Sequence, residues 1–157
     1  MLIEHRQTRL GQAELRGIVH GIAARPERWL ARVRFGERER WYQLLEGQDG
    51  YEVWLLSWLP GQHTGFHDHG GSAGALAVAH GTLDERAAPD GRPAATQALP
   101  AGTVRSFGPR YIHDVANNTG LPAVSVHAYS PALASMRRYA VTAAGLVTEA
   151  QCTAGEW

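Results

Sequence analysis

From Trp41 onward the chain is cut into short runs of β-branched and aromatic residues by Gly, Pro, Asn and Asp. That punctuation constrains the fold more than any other feature, because no run reaches the length of a helix. Strands are expected at 41–45, 51–59, 75–80, 82–87, 96–99, 103–107, 111–117, 123–130, 136–142 and 146–149. So many short strands must close into a barrel or stack as a sandwich, which makes the chain mainly β. His80-Gly81-Thr82 and Asn117-Asn118-Thr119-Gly120 supply turns, since Gly and Asn tolerate positive φ. The Pro- and Gly-rich stretch 88–94 is expected to be an exposed loop.

The first part reads differently. Leu15, Ile18, Val19 and Ile22 fall at i, i+3, i+4 and i+7, one stripe of an amphipathic helix that Gly21 and the Arg25-Pro26 step should end. Pro26 suits a first helical position, and Trp29, Leu30 and Val33 follow on one face, so a second short helix is expected to about Phe35. At 157 residues the chain is one domain's worth of protein. The expected layout is a helical segment, 1–36, packed on a β-barrel, 41–149, within one domain spanning 1–157.

Charge narrows the partners. Fifteen arginines, with no lysine, balance fifteen acidic residues, so no global field draws the chain to nucleic acid or to an anionic membrane. No apolar run approaches the ~18 residues of a membrane span. The first residues, Met1-Leu2-Ile3-Glu4-His5-Arg6, meet charge after two apolar positions and carry no secretory h-region, so a cytoplasmic address is expected. Cys152 is the only cysteine, which excludes an intramolecular disulfide and a Cys-only metal site. It is expected to be a free surface thiol in a polar tail, 151–157.

Any metal chemistry therefore falls to histidine. Four of the eight histidines lie between Gln62 and His80. His67 and His69 are two apart, and on an extended chain that spacing sends both imidazoles to one side, where they can converge on one ion. A second pattern lies in the strand at 123–130. Ser125, His127 and Tyr129 point to one face while Val124, Val126 and Ala128 point to the other.

The skeleton Gly61-x5-His67-x-His69-x4-Gly74-x6-Gly81, then Pro100-x-Gly102, then His113-x3-Asn117, resembles both motifs of the cupin superfamily. Two departures are informative: Gly74 stands where the first motif usually carries a glutamate ligand, and ten residues separate Gly102 from His113. Trp58-x-Pro60-Gly61-Gln62-x-Thr64-x-x-His67-Asp68-His69-Gly70-Gly71-Ser72-x-Gly74, followed by Ala123-Val124-Ser125-Val126-His127-Ala128-Tyr129-Ser130-Pro131, strongly resembles the type I cysteine dioxygenases, a family of thiol dioxygenases. The likeness covers Trp41 to Tyr139.

The resemblance implies a small cupin barrel with short N-terminal helices, holding one non-haem Fe(II) per chain on His67, His69 and His113. It implies conversion of a small thiol carboxylate and O2 to a sulfinate. The substrate it leads one to expect is L-cysteine, with 3-mercaptopropionate the close alternative. Ser125, His127 and Tyr129 become a hydrogen-bonded catalytic relay, with the tyrosine hydroxyl reaching toward substrate. Three neutral imidazoles leave the iron at +2, which favours an anionic ligand such as a thiolate. The donor set alone suits zinc equally well.

The carboxylate needs a clamp, and a bidentate Arg is the strongest. Family members place Arg or Gln on the strand before the iron motif, where this chain reads Glu39-Arg40-Trp41-Tyr42-Gln43-Leu44-Leu45. In one register Tyr42 takes the clamp position and Arg40 shares its face; shifted by one residue, Gln43 takes it. Arg105 is a further candidate. His63 and His80 have no role in the family pattern. Two other readings stand beside the dioxygenase: a non-catalytic metal-binding cupin, and a zinc or nickel cupin enzyme.

Overall fold

The computed structural model describes residues 8–153. The expectations for Met1–Arg6 and for the tail beyond residue 153 lie outside the described residues. One helix, α1 (Gln12–Ala23), precedes eleven strands: β1 (Trp41–Gln48), β2 (Tyr51–Trp58), β3 (Phe66–His67), β4 (Ala73–His80), β5 (Thr82–Ala87), β6 (Gln97–Pro100), β7 (Val104–Phe107), β8 (His113–Ala116), β9 (Ala123–Ser130), β10 (Ser135–Thr142) and β11 (Gly145–Thr153). They pair antiparallel into two sheets, ordered β1-β2-β9-β4-β7 and β11-β10-β3-β8-β5-β6.

Alternation along the first sheet sorts its side chains to two interiors. Val53 and Leu55 of β2, Ala75 and Ala77 of β4, and Val124, Val126 and Ala128 of β9 face outward and meet Leu15, Val19 and Ile22 of α1. Burying each of those helix side chains is worth about 1.5–3 kcal/mol, and the expected stripe is what the helix buries. On the inner face, Leu56, Trp58, Leu76 and Val78 pack with Leu83, Leu99 and Val115 of the second sheet. All eight residues of β9 are therefore buried, and its Ser-x-His-x-Tyr row faces the barrel interior rather than solvent.

Three expectations need correcting. The second helix reduces to a single 3-10 turn at Pro26–Arg28. Trp29 anchors that turn, buried and donating from Nε1 to the Ala23 carbonyl at 3.2 Å, whereas Leu30 is 59% exposed and finds no surface to cover. A short helix with only one buried anchor gains too little from packing to continue. Second, β3 is a two-residue strand absent from the sequence reading. Third, β11 runs on to Thr153, so Cys152 sits half-buried in a strand, opposite Met136 of β10. No helix among the described residues is long and apolar enough to cross a membrane.

Candidate metal centre and its cavity

The short strand β3 builds the centre. His67 pairs directly with His113 of β8 and, on its other side, with Arg138 of β10. Directly opposed residues share a face, so all three side chains point inward. His69 joins from the segment after β3. The ligand-capable nitrogens of His67, His69 and His113 all lie within 4.8 Å of one another, and the three residues are buried.

Their surroundings select the donor atoms. His67 Nδ1 sits 2.9 Å from the Gly65 carbonyl, and His113 Nδ1 sits 2.9 Å from Glu85 Oε1. A ring N–H must donate to each acceptor, so in the neutral tautomer Nε2 of each ring is the atom free to ligate. His69 has two buried ring nitrogens with no well-formed hydrogen bond, although the Tyr111 backbone exerts a small upward pull on its pKa. Burial pushes the pKa values of His67 and His69 well below the ordinary imidazole range, and the neighbouring histidines add to the shift. Three buried, converging imidazoles with an orphaned nitrogen among them fit a divalent cation.

Gly74 explains why no fourth side chain enters. It is paired with Tyr129 on one side and Phe107 on the other, and a Cβ there would overlap the Phe107 ring. Phe107 stacks on His69 with centroids 4.7 Å apart and takes the space a glutamate would need. A carboxylate lies one hydrogen bond further out. Glu85 is buried, accepting from His113 and from the Tyr111 hydroxyl at 3.0 Å, and paired with Arg105 at 3.2 Å. Burial alone would raise its pKa; His113, Tyr111 and Arg105 outweigh that and hold it below the usual carboxylate value.

The relay is continuous. Trp58 Nε1 donates to Ser125 Oγ at 2.9 Å, Ser125 Oγ lies 2.9 Å from His127 Nε2, and His127 Nδ1 lies 3.3 Å from the Tyr129 hydroxyl. The arrangement that uses every proton runs one way: Trp58 to Ser125, Ser125 to His127, His127 to Tyr129. Tyr129 then keeps its own O–H to donate outward. Burial lowers the His127 pKa to about 3, helped by electrostatic repulsion from its neighbours His113 and Arg40, so its ring is neutral. Burial likewise raises the Tyr129 pKa, keeping its hydroxyl protonated.

A cavity opens beside His67, His113 and Tyr129, and Arg40, Tyr42 and Arg138 stand on its wall. The β1–β2 register pairs Tyr42 with Leu56, an inner-face residue, so Arg40 and Tyr42 take the inner side. Gln43 falls on the other face, exposed and away from the cavity. Arg105 is committed to Glu85 and does not line the cavity. His80 is exposed, and His63 contributes its backbone carbonyl to Arg40 at 3.3 Å. Sequence reasoning missed Arg138, Glu85 and Phe107. A charged residue flanked by other charged residues, as in Asp84-Glu85-Arg86 or Arg137-Arg138, reads as solvated until its cross-strand partner is known.

Two facing antiparallel sheets around buried converging histidines define a cupin-type barrel. Solved structures agree. A Thermus thermophilus protein superposes with a TM-score of 0.58 at 21% identity, over 66% of this chain and 94% of that one. A cupin superfamily protein from Desulfitobacterium hafniense superposes with 0.56 at 14% identity, over 68% and 90%. These show the fold. No curated protein sequence matches the chain. The family profile described as cysteine dioxygenase type I matches residues 5–142, and the chain belongs to that family.

Proposed function

We propose that this protein is a thiol dioxygenase that converts a small thiol carboxylate to its sulfinate with O2. The observation that carries the reading is the convergence of three buried histidines, two of them on the wall of one cavity, with a tyrosine on that wall whose hydroxyl is held by a buried relay. A structural metal needs no such relay. His67, His69 and His113 would hold Fe(II), which supplies open coordination positions for thiolate and O2 and lowers the thiol pKa.

The chain's own residues do the rest. Arg40, its guanidinium 5.0 Å from the Trp58 ring centroid, and Tyr42 at the cavity mouth receive the carboxylate. Tyr129 donates its hydroxyl hydrogen toward the reacting sulfur and oxygen atoms, oriented through His127, Ser125 and Trp58. The buried wall excludes water. The reaction balances as RSH + O2 → RSO2⁻ + H⁺: two S–O bonds form, the O–O bond breaks, and sulfur gives up the four electrons that O2 accepts. No external reductant enters. A thiol substrate and a lone free cysteine suit a reducing compartment, which favours the cytoplasm.

Oxygen uptake by anaerobically Fe(II)-loaded protein, offered L-cysteine and 3-mercaptopropionate in parallel, tests the reading. One O2 consumed per thiol, with the sulfinate identified by mass spectrometry, is the expected result. No uptake with these or any other small thiol carboxylate, despite one iron bound per chain, would end the reading and put the non-catalytic metal-binding cupin in its place.

A further inference from the structure

The cavity holds more positive charge than one carboxylate needs. Arg138 lies directly across from His67 in the β10–β3 pairing, and its Nη1 donates to the Thr64 carbonyl at 2.9 Å. Arg40 Nε donates to the preceding carbonyl, that of His63, at 3.3 Å. Cα atoms of adjacent residues are about 3.8 Å apart, so the two guanidiniums are tethered to neighbouring points of one loop. Each has five N–H groups and spends one on its tether, leaving the fork free for an anion.

Among the described residues no carboxylate forms an ion pair with either guanidinium. The arginine ion pairs there are those of Arg28 and Arg105. Asp114, within electrostatic reach of Arg40, accepts from the Thr64 hydroxyl at 3.2 Å. Among the described residues no Asp or Glu lines the cavity. Trp54, also on the wall, has a buried indole N–H with no acceptor. With a divalent cation at the histidines, two guanidiniums make four positive charges in one small space. A monocarboxylate thiolate returns two negative charges, and an α-ammonium group would add a fifth positive one. Like charges at this range in a partly desolvated site are costly unless a ligand compensates them.

We infer that the substrate is a small thiol bearing two carboxylates and no ammonium group, one carboxylate for Arg40 and the second for Arg138. The thiol part of this inference rests on the dioxygenase reading; the two-anion part rests on the cavity alone. Sulfur chemistry is unchanged, with the same four electrons passing to O2.

Two measurements separate the parts. The first is calorimetric binding of succinate and of butyrate, equal in carbon count and differing by one carboxylate, to the anaerobic Fe(II)-loaded protein. Succinate is expected to bind at least about tenfold tighter, and Arg138→Gln, with Tm and far-UV circular dichroism unchanged, is expected to abolish the preference. Arg40→Gln serves as the second variant should the first misfold. Equal binding of the two acids, or a preference that survives both variants, would overturn the inference. The second is oxygen uptake with 2-mercaptosuccinate, 3-mercaptopropionate and L-cysteine. A kcat/KM for 2-mercaptosuccinate at least about tenfold above the other two supports the proposal, and a 3-mercaptopropionate value as high or higher overturns it. A succinate preference without uptake of O2 on any thiol would support the two-anion site and end the dioxygenase reading.

Discussion

Gly74 is where the site is least forgiving of a single atom. Its pairing with Tyr129 and Phe107 leaves no room for a Cβ, so Gly74→Ala must displace the Phe107 ring from His69. Overpacking of this kind costs about 1–3 kcal/mol, and thermal denaturation should show it as a lowered Tm. An unchanged Tm would mean that the ring moves freely and does not define the pocket. Tyr129→Phe tests the opposite kind of change, since the ring that stacks on His69 at 5.3 Å stays and only the hydroxyl goes. Metal affinity should hold while kcat falls about 10²-fold or more, as loss of a positioned proton donor does. Glu85→Gln removes charge behind His113 and keeps an acceptor oxygen; metal affinity, read by competition with a chelator, should weaken about 10- to 100-fold. Unaltered affinity would leave Glu85 a packing residue. At this scale the sequence showed what local periodicity can show. His67 and His69, or Ser125, His127 and Tyr129, lie two apart on extended chain and share a face by geometry. Glu85 and His113 are 28 residues apart, and only the β5–β8 pairing brings them together.

Elements divide the work between stability and chemistry. α1 lies on the outer face of the sheet whose inner face carries the relay. Leu15→Ala, at a fully buried position, should therefore cost about 2–5 kcal/mol in unfolding free energy while leaving metal affinity and KM near their original values. A large change in KM would show that the helix positions the cavity as well as covering the sheet. The helix and most strands were readable because each buries a stripe of the expected period. β3 was not, since two residues carry no periodicity; it exists because β8 and β10 flank it and supply its hydrogen bonds. The choice between Tyr42 and Gln43 was equally closed to the sequence. It turns on a register that the β1–β2 hairpin sets, with an irregularity between Leu44 and Glu46. The second helix failed for the converse reason: its pattern was present, but no surface lay opposite Leu30.

At the scale of the whole molecule, keeping histidines neutral in a positively charged interior ties stability to pH. His127 has its pKa lowered to about 3 by burial and, secondarily, by its neighbours His113 and Arg40. In the unfolded chain it titrates near 6.5. Between those values the unfolded state binds a proton that the folded state refuses, so stability must fall as pH drops below about 6.5. Each such group contributes at most about 1.4 kcal/mol per pH unit. His67 and His69 are shifted in the same direction, so their contributions add in the metal-free protein. A cation bound to neutral imidazoles raises stability at neutral pH and loses affinity as acid protonates its ligands, which steepens the dependence. Chemical denaturation of the metal-free protein at a series of pH values from 7.5 to 4.5 should show unfolding free energy declining through this window. Substituting His127→Gln should reduce the slope by about one proton, whatever it does to the relay. A slope that the substitution leaves untouched would mean that the ring is already protonated in the fold. His127 would then donate from both nitrogens, and the one-way relay from Trp58 to Tyr129 could not hold, because Ser125 would have to accept where it now donates.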